Sequence, residues 1–277
     1  MTNTKVGVVT GGARGMGLAC ATRMRPMVDV LFVTDRDADG AASAAASLAS
    51  PATRVLPMAV DVCDVGSLAA LATAIREAGT LRAVAHAAGI SGTMAPSREV
   101  LRIDLVGTAL VVEAMRPLVA PGTAMVCFAS MAAPLTVPNG DPVLDPLIDN
   151  PLAADFLDRI REAGDAALDD PAHGYAWAKR GVQRLVRREA VVWGPLGGRI
   201  NSMSPGIIDT PMGRQEAAAQ PVMQTLVEMT PLRREGTADE LAAAVAFLLS
   251  DDASFVTGTD LLVDGGCVAA VGAAYAR

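Results

Sequence analysis

The stretch VGVVTGGARGMG, residues 6–17, decides how the rest of the chain is read. Val6, Val8 and Val9 form an apolar run suited to a buried strand, and the run breaks into Gly11, Gly15 and Gly17 where a helix can begin. Glycines there let the backbone turn sharply and approach a ligand with no Cβ in the way. A helix starting after Gly17 would aim its unpaired amides and partial positive charge at an anion, so no lysine is needed to hold it. The pyrophosphate of a dinucleotide is the natural guest. The spacing, T-G-x-x-x-G-x-G, differs from the common G-x-G-x-x-G fingerprint.

Moving outward, strand and helix patterns alternate. VDVLFVTD (28–35) is a second apolar run that ends in Asp35. An acidic residue about twenty positions past a glycine loop accepts from the adenosine ribose hydroxyls and repels a 2′-phosphate, which favours NAD over NADP. Asp35 also suits a cap on the next helix, and Arg36 beside it offers a partner to a phosphate. A third strand over 54–60 runs into Asp61 and Val62, and a fourth run, LRAVAHAAG (81–89), ends in glycine. A helix is expected over 98–118 and a strand over 124–129, which delivers Ser130. In HGYAWAK (173–179) the four-residue step puts Tyr175 and Lys179 on one helix face, a turn apart. A phenol with a pKa of about 10 is a poor base at neutral pH, and a nearby ammonium lowers that value by stabilising the phenolate. GGRINSMSPGIIDTPM (197–212) reads as a strand followed by a turn at Pro205-Gly206.

Composition bounds the function. A chain of 277 residues is within reach of a single large α/β domain, and no internal repeat is visible. Half the residues are hydrophobic (51%) but only 3% are aromatic, which suits helices packed closely on a buried parallel sheet. A net charge of −7 argues against nucleic-acid or anionic-membrane partners. Cys20, Cys63, Cys127 and Cys267 form no C-x-x-C pair, and no signal peptide or bilayer-spanning run stands out, so a reducing cytoplasm is the expected compartment. His86 and His173 make no spaced ligand set with each other or the cysteines, and no metal is expected.

The glycine loop, the strand-end Ser130, the Tyr175-x-x-x-Lys179 step and the late stretch PLRREGTADELAAAVAFLLSDDASFVTGTDLLVDGG (231–266) occur in an order that resembles the short-chain dehydrogenase/reductase family. The resemblance covers the chain apart from 131–172. It implies an α/β fold, with a Rossmann-like doubly wound parallel sheet flanked by helices in one domain, and a homo-oligomer, dimer or tetramer. It implies catalysis by Ser130, Tyr175 and Lys179, with Asp104 (in IDLVGT) where an asparagine usually holds a water in the proton path. For the cofactor, NAD, it implies a cradle of Gly11, Arg14, Gly15, Met16 and Gly17, ribose contact by Asp35, and adenine contact by Asp61 and Val62. Ala88 and Gly89 pass close to the same cofactor, and Lys179, with Tyr175, reaches the nicotinamide ribose. Pro205, Gly206 and the Ile207 backbone hold the carboxamide side, and Thr210 bonds cofactor oxygens.

The chain departs from the family pattern at His86 and Ala87, where asparagines are usual, and at Asp104. A lone histidine at a strand end is more often a hydrogen-bonded structural group than a catalyst. A carboxylate at 104 can accept from the water and also tends to keep a nearby lysine protonated. The implied reaction interconverts a secondary alcohol and a ketone. Ser130 orients the oxygen, Tyr175 as phenolate removes its proton, and hydride passes to nicotinamide. The alternative is a nicotinamide-binding sensor or scaffold that lost the chemistry, for which the three replacements speak. An enoyl reductase is disfavoured by the four-residue Tyr–Lys step.

The segment 131–172 is longer than the family's usual one and is punctuated by Pro134, Pro138, Pro142, Pro146 and Pro151. A helix over 152–163 would place Leu152, Phe156, Leu157 and Ile160 on one stripe. Such an insertion serves either as a lid over an apolar substrate or as a subunit interface. The scarcity of charge over 131–137 suggests a steroid, terpenoid or alicyclic alcohol. The stretch 217–230 is expected to be a flexible cover for the substrate, and Met212, Met223 and Met229 either mould to a ligand or simply pack.

Overall fold

In the computed structural model, which describes residues 4–163 and 169–275, the apolar runs become strands separated by helices. The first half runs β1 (Lys5–Thr10), α1 (Gly15–Met24), β2 (Val30–Asp35), α2 (Ala38–Ser47), β3 (Arg54–Ala59), α3 (Val65–Ala78) and β4 (Thr80–His86). Next come α4 (Ser97–Leu101), a π-helical turn (Arg102–Val106), α5 (Gly107–Met115) and β5 (Ala124–Phe128). The segment after β5 carries α6 (Ala132–Thr136), α7 (Leu144–Ile148) and α8 (Phe156–Ala163), and leads to the long α9 (Pro171–Trp193). The chain closes with β6 (Arg199–Pro205), β7 (Ile208–Asp209), α10 (Pro211–Ala219), α11 (Val222–Met229), β8 (Gly236–Thr237), α12 (Ala238–Leu249), β9 (Asp260–Val263) and α13 (Cys267–Tyr275).

Seven of the strands form one parallel sheet in the order β3-β2-β1-β4-β5-β6-β9. Side chains alternate between its two faces. Val6, Val8, Leu81, Val84, Met125 and Cys127 join one core with α3, α5 and α9, whereas Val9, Ala83, Ala85, Val126 and Phe128 join the other with α1, α2 and α12. Helices cover both faces, which is why the strands read as unbroken apolar runs. The strands expected to end at 60, 89 and 129 stop at Ala59, His86 and Phe128, because the chain leaves the sheet there to line the groove.

The helix expected over 98–118 is interrupted. The Gly107 N–H reaches back to the Arg102 carbonyl, so an extra residue enters the helix around the buried Asp104. Turns of this kind are concentrated at functional sites. The stretch expected as a flexible cover is helical, formed by the end of α10 and by α11.

In the 131–172 segment, of which 164–168 lie outside the described residues, the expected helix starts four residues late. Asp155, a residue type that favours helix starts, offers its carbonyl to the Arg159 N–H in the first helical turn. Leu152 therefore lies outside the stripe and is 39% exposed, whereas Phe156 and Ile160 are buried at 3% and 1%. With Leu144 and Ile148 they join the core beneath α9. Arg180, Arg184 and Arg188, spaced one turn apart on α9, fasten the segment through Asp145 and Asp149. Arg180 Nε lies 2.7 Å from Asp145 Oδ1, and Arg188 also pairs with Asp149.

Ile160→Ala is therefore expected to lower stability by about 2–4 kcal/mol in denaturant titration. Leu152→Ala should stay within about 0.5 kcal/mol of the parent, as surface changes do. Equal losses would contradict the burial just described.

Candidate active site

The carboxyl ends of β1, β4, β5 and β6 open onto one continuous cleft, the position where a parallel α/β sheet binds ligands. At one end of it the glycine loop approaches the end of β4 closely. Gly11 has φ +65°, and a Cβ there would lie 2.8 Å from the Ala88 backbone nitrogen. At Gly17 a Cβ would lie 2.0 Å from the Gly11 carbonyl oxygen, so the loop closes only with glycine. α1 begins at Gly15, three residues before the expected start, and Arg14 ahead of it makes no side-chain cap. The first amides of α1 thus remain available to an anion.

Arg14, Met16, Asp61, Val62, Ala88 and Gly89 line this groove with the glycines. Asp35 lies there too, beside Arg36. Its two carboxylate oxygens accept from the Ala13 N–H at 3.2 Å and the Asp37 N–H at 3.1 Å. The cap of α2 is Asp37, which accepts from the Gly40 N–H at 3.0 Å, so Asp35 is not the capping residue. Asp61 likewise leaves the capping of α3 to Asp64. Backbone turned without Cβ obstruction, free helix amides and a carboxylate along the groove fit a dinucleotide.

The other end of the cleft gathers Ser130, Tyr175 and Lys179 with Pro205, Gly206, Ile207 and Thr210. Tyr175 and Lys179 sit near the start of α9, which Pro171 opens and Asp170 caps by accepting from the Ala172 N–H at 3.0 Å. The Met131 N–H donates to the Pro205 carbonyl at 3.0 Å and ties the Ser130 loop to the end of β6. Ser130 Oγ accepts from the Ala132 N–H at 3.1 Å, and the Ser130 side chain helps to lower the pKa of the Tyr175 phenol. Thr210 faces both parts of the cleft, and its hydroxyl also caps α10 by accepting from the Gly213 N–H at 3.0 Å.

Lys179 Nζ donates to the Phe128 carbonyl at 3.1 Å and lies 2.9 Å from Asp104 Oδ2. The second contact is a charge contact, since Oδ2 makes no aligned hydrogen bond. Oδ1 accepts from the Ile90 N–H at 2.8 Å. Burial opposes the charge on Lys179, yet the Asp104 and Tyr175 anions carry its pKa above the ordinary lysine value. Burial lifts the Tyr175 phenol, Lys179 pulls it down, and Asp104 and Glu216 push it up again, so that its pKa lies above the usual tyrosine value. The expected lowering by Lys179 is present but outweighed, because the sequence did not show the depth of burial or the facing carboxylates.

His86 is held at both ring nitrogens. Thr108 donates its hydroxyl proton to the Asp104 carbonyl at 2.6 Å, so it accepts from His86 Nε2–H at 2.9 Å. Nδ1 then accepts from the Thr10 hydroxyl at 2.7 Å, while Thr10 accepts from the Ala88 N–H at 3.3 Å. Burial, and then Lys179, pushes the imidazole down to about 3, so it stays neutral. His86 thereby links the end of β1, the end of β4 and the start of α5, a structural role in place of the usual asparagine. The sequence reading missed Thr10 and Thr108, whose hydroxyls are ordinary in isolation, and Glu216, which no motif marks.

Among known proteins, a family profile described as enoyl-(acyl carrier protein) reductase matches residues 11–144 and 163–268. The chain is similar to the cis-4-hydroxycyclohexanecarboxylate dehydrogenase of Sinomonas cyclohexanicum, 33% identical, with 96% of this chain and 97% of that protein covered. It is also similar to the levodione reductase of Leifsonia aquatica, 31% identical with 96% and 95% covered. A crystal structure of levodione reductase matches with a TM-score of 0.73 at 29% identity, over 96% of this chain and 98% of that one. These near full-length matches agree with the parallel sheet and the ordered glycine, serine, tyrosine and lysine positions, and the chain belongs to the short-chain dehydrogenase/reductase family of NAD(P)-dependent oxidoreductases.

Proposed function

We propose that this enzyme interconverts a secondary alcohol and a ketone on an alicyclic substrate, with NAD as the preferred cofactor. The observation that carries the reading is that Ser130, Tyr175 and Lys179 open onto one cavity whose walls are largely apolar. Met131, Leu135, Met212, Met223 and Leu226 form much of that wall, and both curated relatives above bear names of ring alcohol or ketone enzymes. The four-residue Tyr–Lys step supports carbonyl chemistry over enoyl reduction. Asp35 at the groove supports NAD over NADP.

When bound, a nicotinamide dinucleotide would supply the hydride acceptor or donor. Gly11, Gly15 and Gly17 with the first amides of α1 would hold its phosphates, Asp35 its adenosine ribose, and Asp61 with Val62 its adenine. Ser130 holds the substrate oxygen, Tyr175 takes its proton on oxidation and returns one on reduction, and Lys179 stabilises the phenolate. Proton transfer of this kind contributes about 10²–10⁴-fold, and positioning in the closed cleft supplies the remainder. Asp104 keeps Lys179 charged in place of the usual asparagine. The neutral, doubly bonded His86 is a repair of the same scaffold, which favours an active enzyme over a sensor.

We assign the 131–172 segment to the cavity wall. Met131, Leu135 and Thr136 face the cavity, α7 packs on α9, and α8 packs on α7 and α4. A homo-oligomer in a reducing compartment completes the proposal, in keeping with four free cysteines.

Tyr175→Phe is expected to reduce turnover by at least about 10²-fold with NADH affinity within a few-fold, measured by steady-state kinetics and fluorescence titration. Asp104→Asn removes an anion that raises both Lys179 and Tyr175. Both pKa values should fall, and the alkaline rise of alcohol oxidation should move to lower pH by about one unit. A rise that stays in place would disconnect Asp104 from the proton path. Asp35→Ala is expected to reduce the NAD over NADP preference in kcat/KM by about 10-fold or more.

A further inference from the structure

The cavity wall holds one feature that neither the catalytic set nor the apolar lining uses. Glu216, on α10, faces the cavity that Ser130, Tyr175 and Lys179 share. It is half-buried, and burial raises its carboxyl above the usual range, with Ser91 and Lys179 opposing that rise. Gln220, one helical turn further on, lines the same cavity.

The charge balance makes Glu216 matter. Among the described residues lining this cavity, the charged side chains are Lys179 and Glu216. Lys179 is already faced at 2.9 Å by Asp104, so its charge is compensated within the protein. Arg214, two residues from Glu216, pairs with Asp209 instead and does not line the cavity. Glu216 is therefore the uncompensated charge that a substrate meets, in a confined space of lowered dielectric where like charges repel strongly. A carboxyl oxygen accepts a hydrogen bond from a substrate hydroxyl, and the Gln220 amide can donate to or accept from the same group.

We propose that Glu216, with Gln220, sets substrate class: the enzyme selects neutral ring alcohols or ketones that carry a second hydroxyl away from the reacting carbon, and rejects ring substrates that carry a carboxylate. This rests on the alcohol–ketone reading of the site and decides what the ring bears. Glu216 is a specificity residue that touches the remote end of the substrate, and the proton and hydride steps do not pass through it.

The test compares cyclohexane-1,4-diol, 4-hydroxycyclohexanecarboxylate and the methyl ester of the latter as substrates. With the parent enzyme, kcat/KM is expected to favour the diol over the carboxylate by about 10²-fold and the ester over the carboxylate by at least about 10-fold. Glu216→Gln should raise the carboxylate relative to the diol by about 10-fold, with the change in KM. A parent enzyme that takes the carboxylate as well as the ester, or a ratio unmoved in Glu216→Gln, overturns the proposal. If the parent oxidises none of the three with NAD or NADP, the alcohol–ketone reading fails separately. Calorimetric binding of the same three compounds then decides the role of Glu216: preference for diol and ester over carboxylate upholds it, and equal affinities overturn it. The ester comparison needs no variant, so the proposal stays testable should Glu216→Gln fail to fold.

Discussion

The ion pair between Lys179 and Asp104 lies at the centre of this structure, with both groups almost withdrawn from water. Neither charge would be tolerated alone at that depth. Removing one partner of a buried pair typically costs about 3–5 kcal/mol, because the other is left uncompensated. Three elements converge to build the pair. The π turn places Asp104, α9 places Lys179, and the end of β5 offers the Phe128 carbonyl to the ammonium. The Ile90 amide completes the arrangement by holding the second carboxylate oxygen. The sheet end, the interrupted helix and α9 are thus bound to one electrostatic point.

From that point the charge balance around Tyr175 follows. Lys179 stays charged because Asp104 is near, and the phenol one turn away feels both the ammonium that lowers its pKa and the carboxylate that raises it. His86 occupies the layer behind, neutral and fixed in one tautomer by Thr10 and Thr108. The replacements at 86 and 104 are linked through Thr108, whose hydroxyl touches both the imidazole and the Asp104 carbonyl. They read as one rearranged polar layer, in which every hydrogen bond has a direction.

The long segment after Ser130 belongs to the same logic. Its arginine–carboxylate ladder attaches it to α9, the helix that carries Tyr175 and Lys179, the buried Phe156 and Ile160 seat α8 in the same core, and its first residues form cavity wall. The cavity wall and the Tyr175–Lys179 pair therefore share one support. An insertion held this firmly shapes a cavity by its position.

Much of this was legible in the residues alone. Glycine spacing marked the loop because only a residue without Cβ permits the approach of Gly17 to the Gly11 carbonyl, and alternating apolar runs marked the sheet because both its faces are buried. The Tyr175–Lys179 pairing was legible because a helical turn is a local property. What the tertiary structure decided depends on residues far apart in sequence: the π turn that aims Asp104, the hydroxyls on both sides of His86, the late start of α8, the net direction of the Tyr175 shift and the place of Glu216 in the cavity. Local steric rules act through neighbours in the chain, whereas burial and facing charges are set by which elements pack together, and that information is absent from any single stretch of sequence.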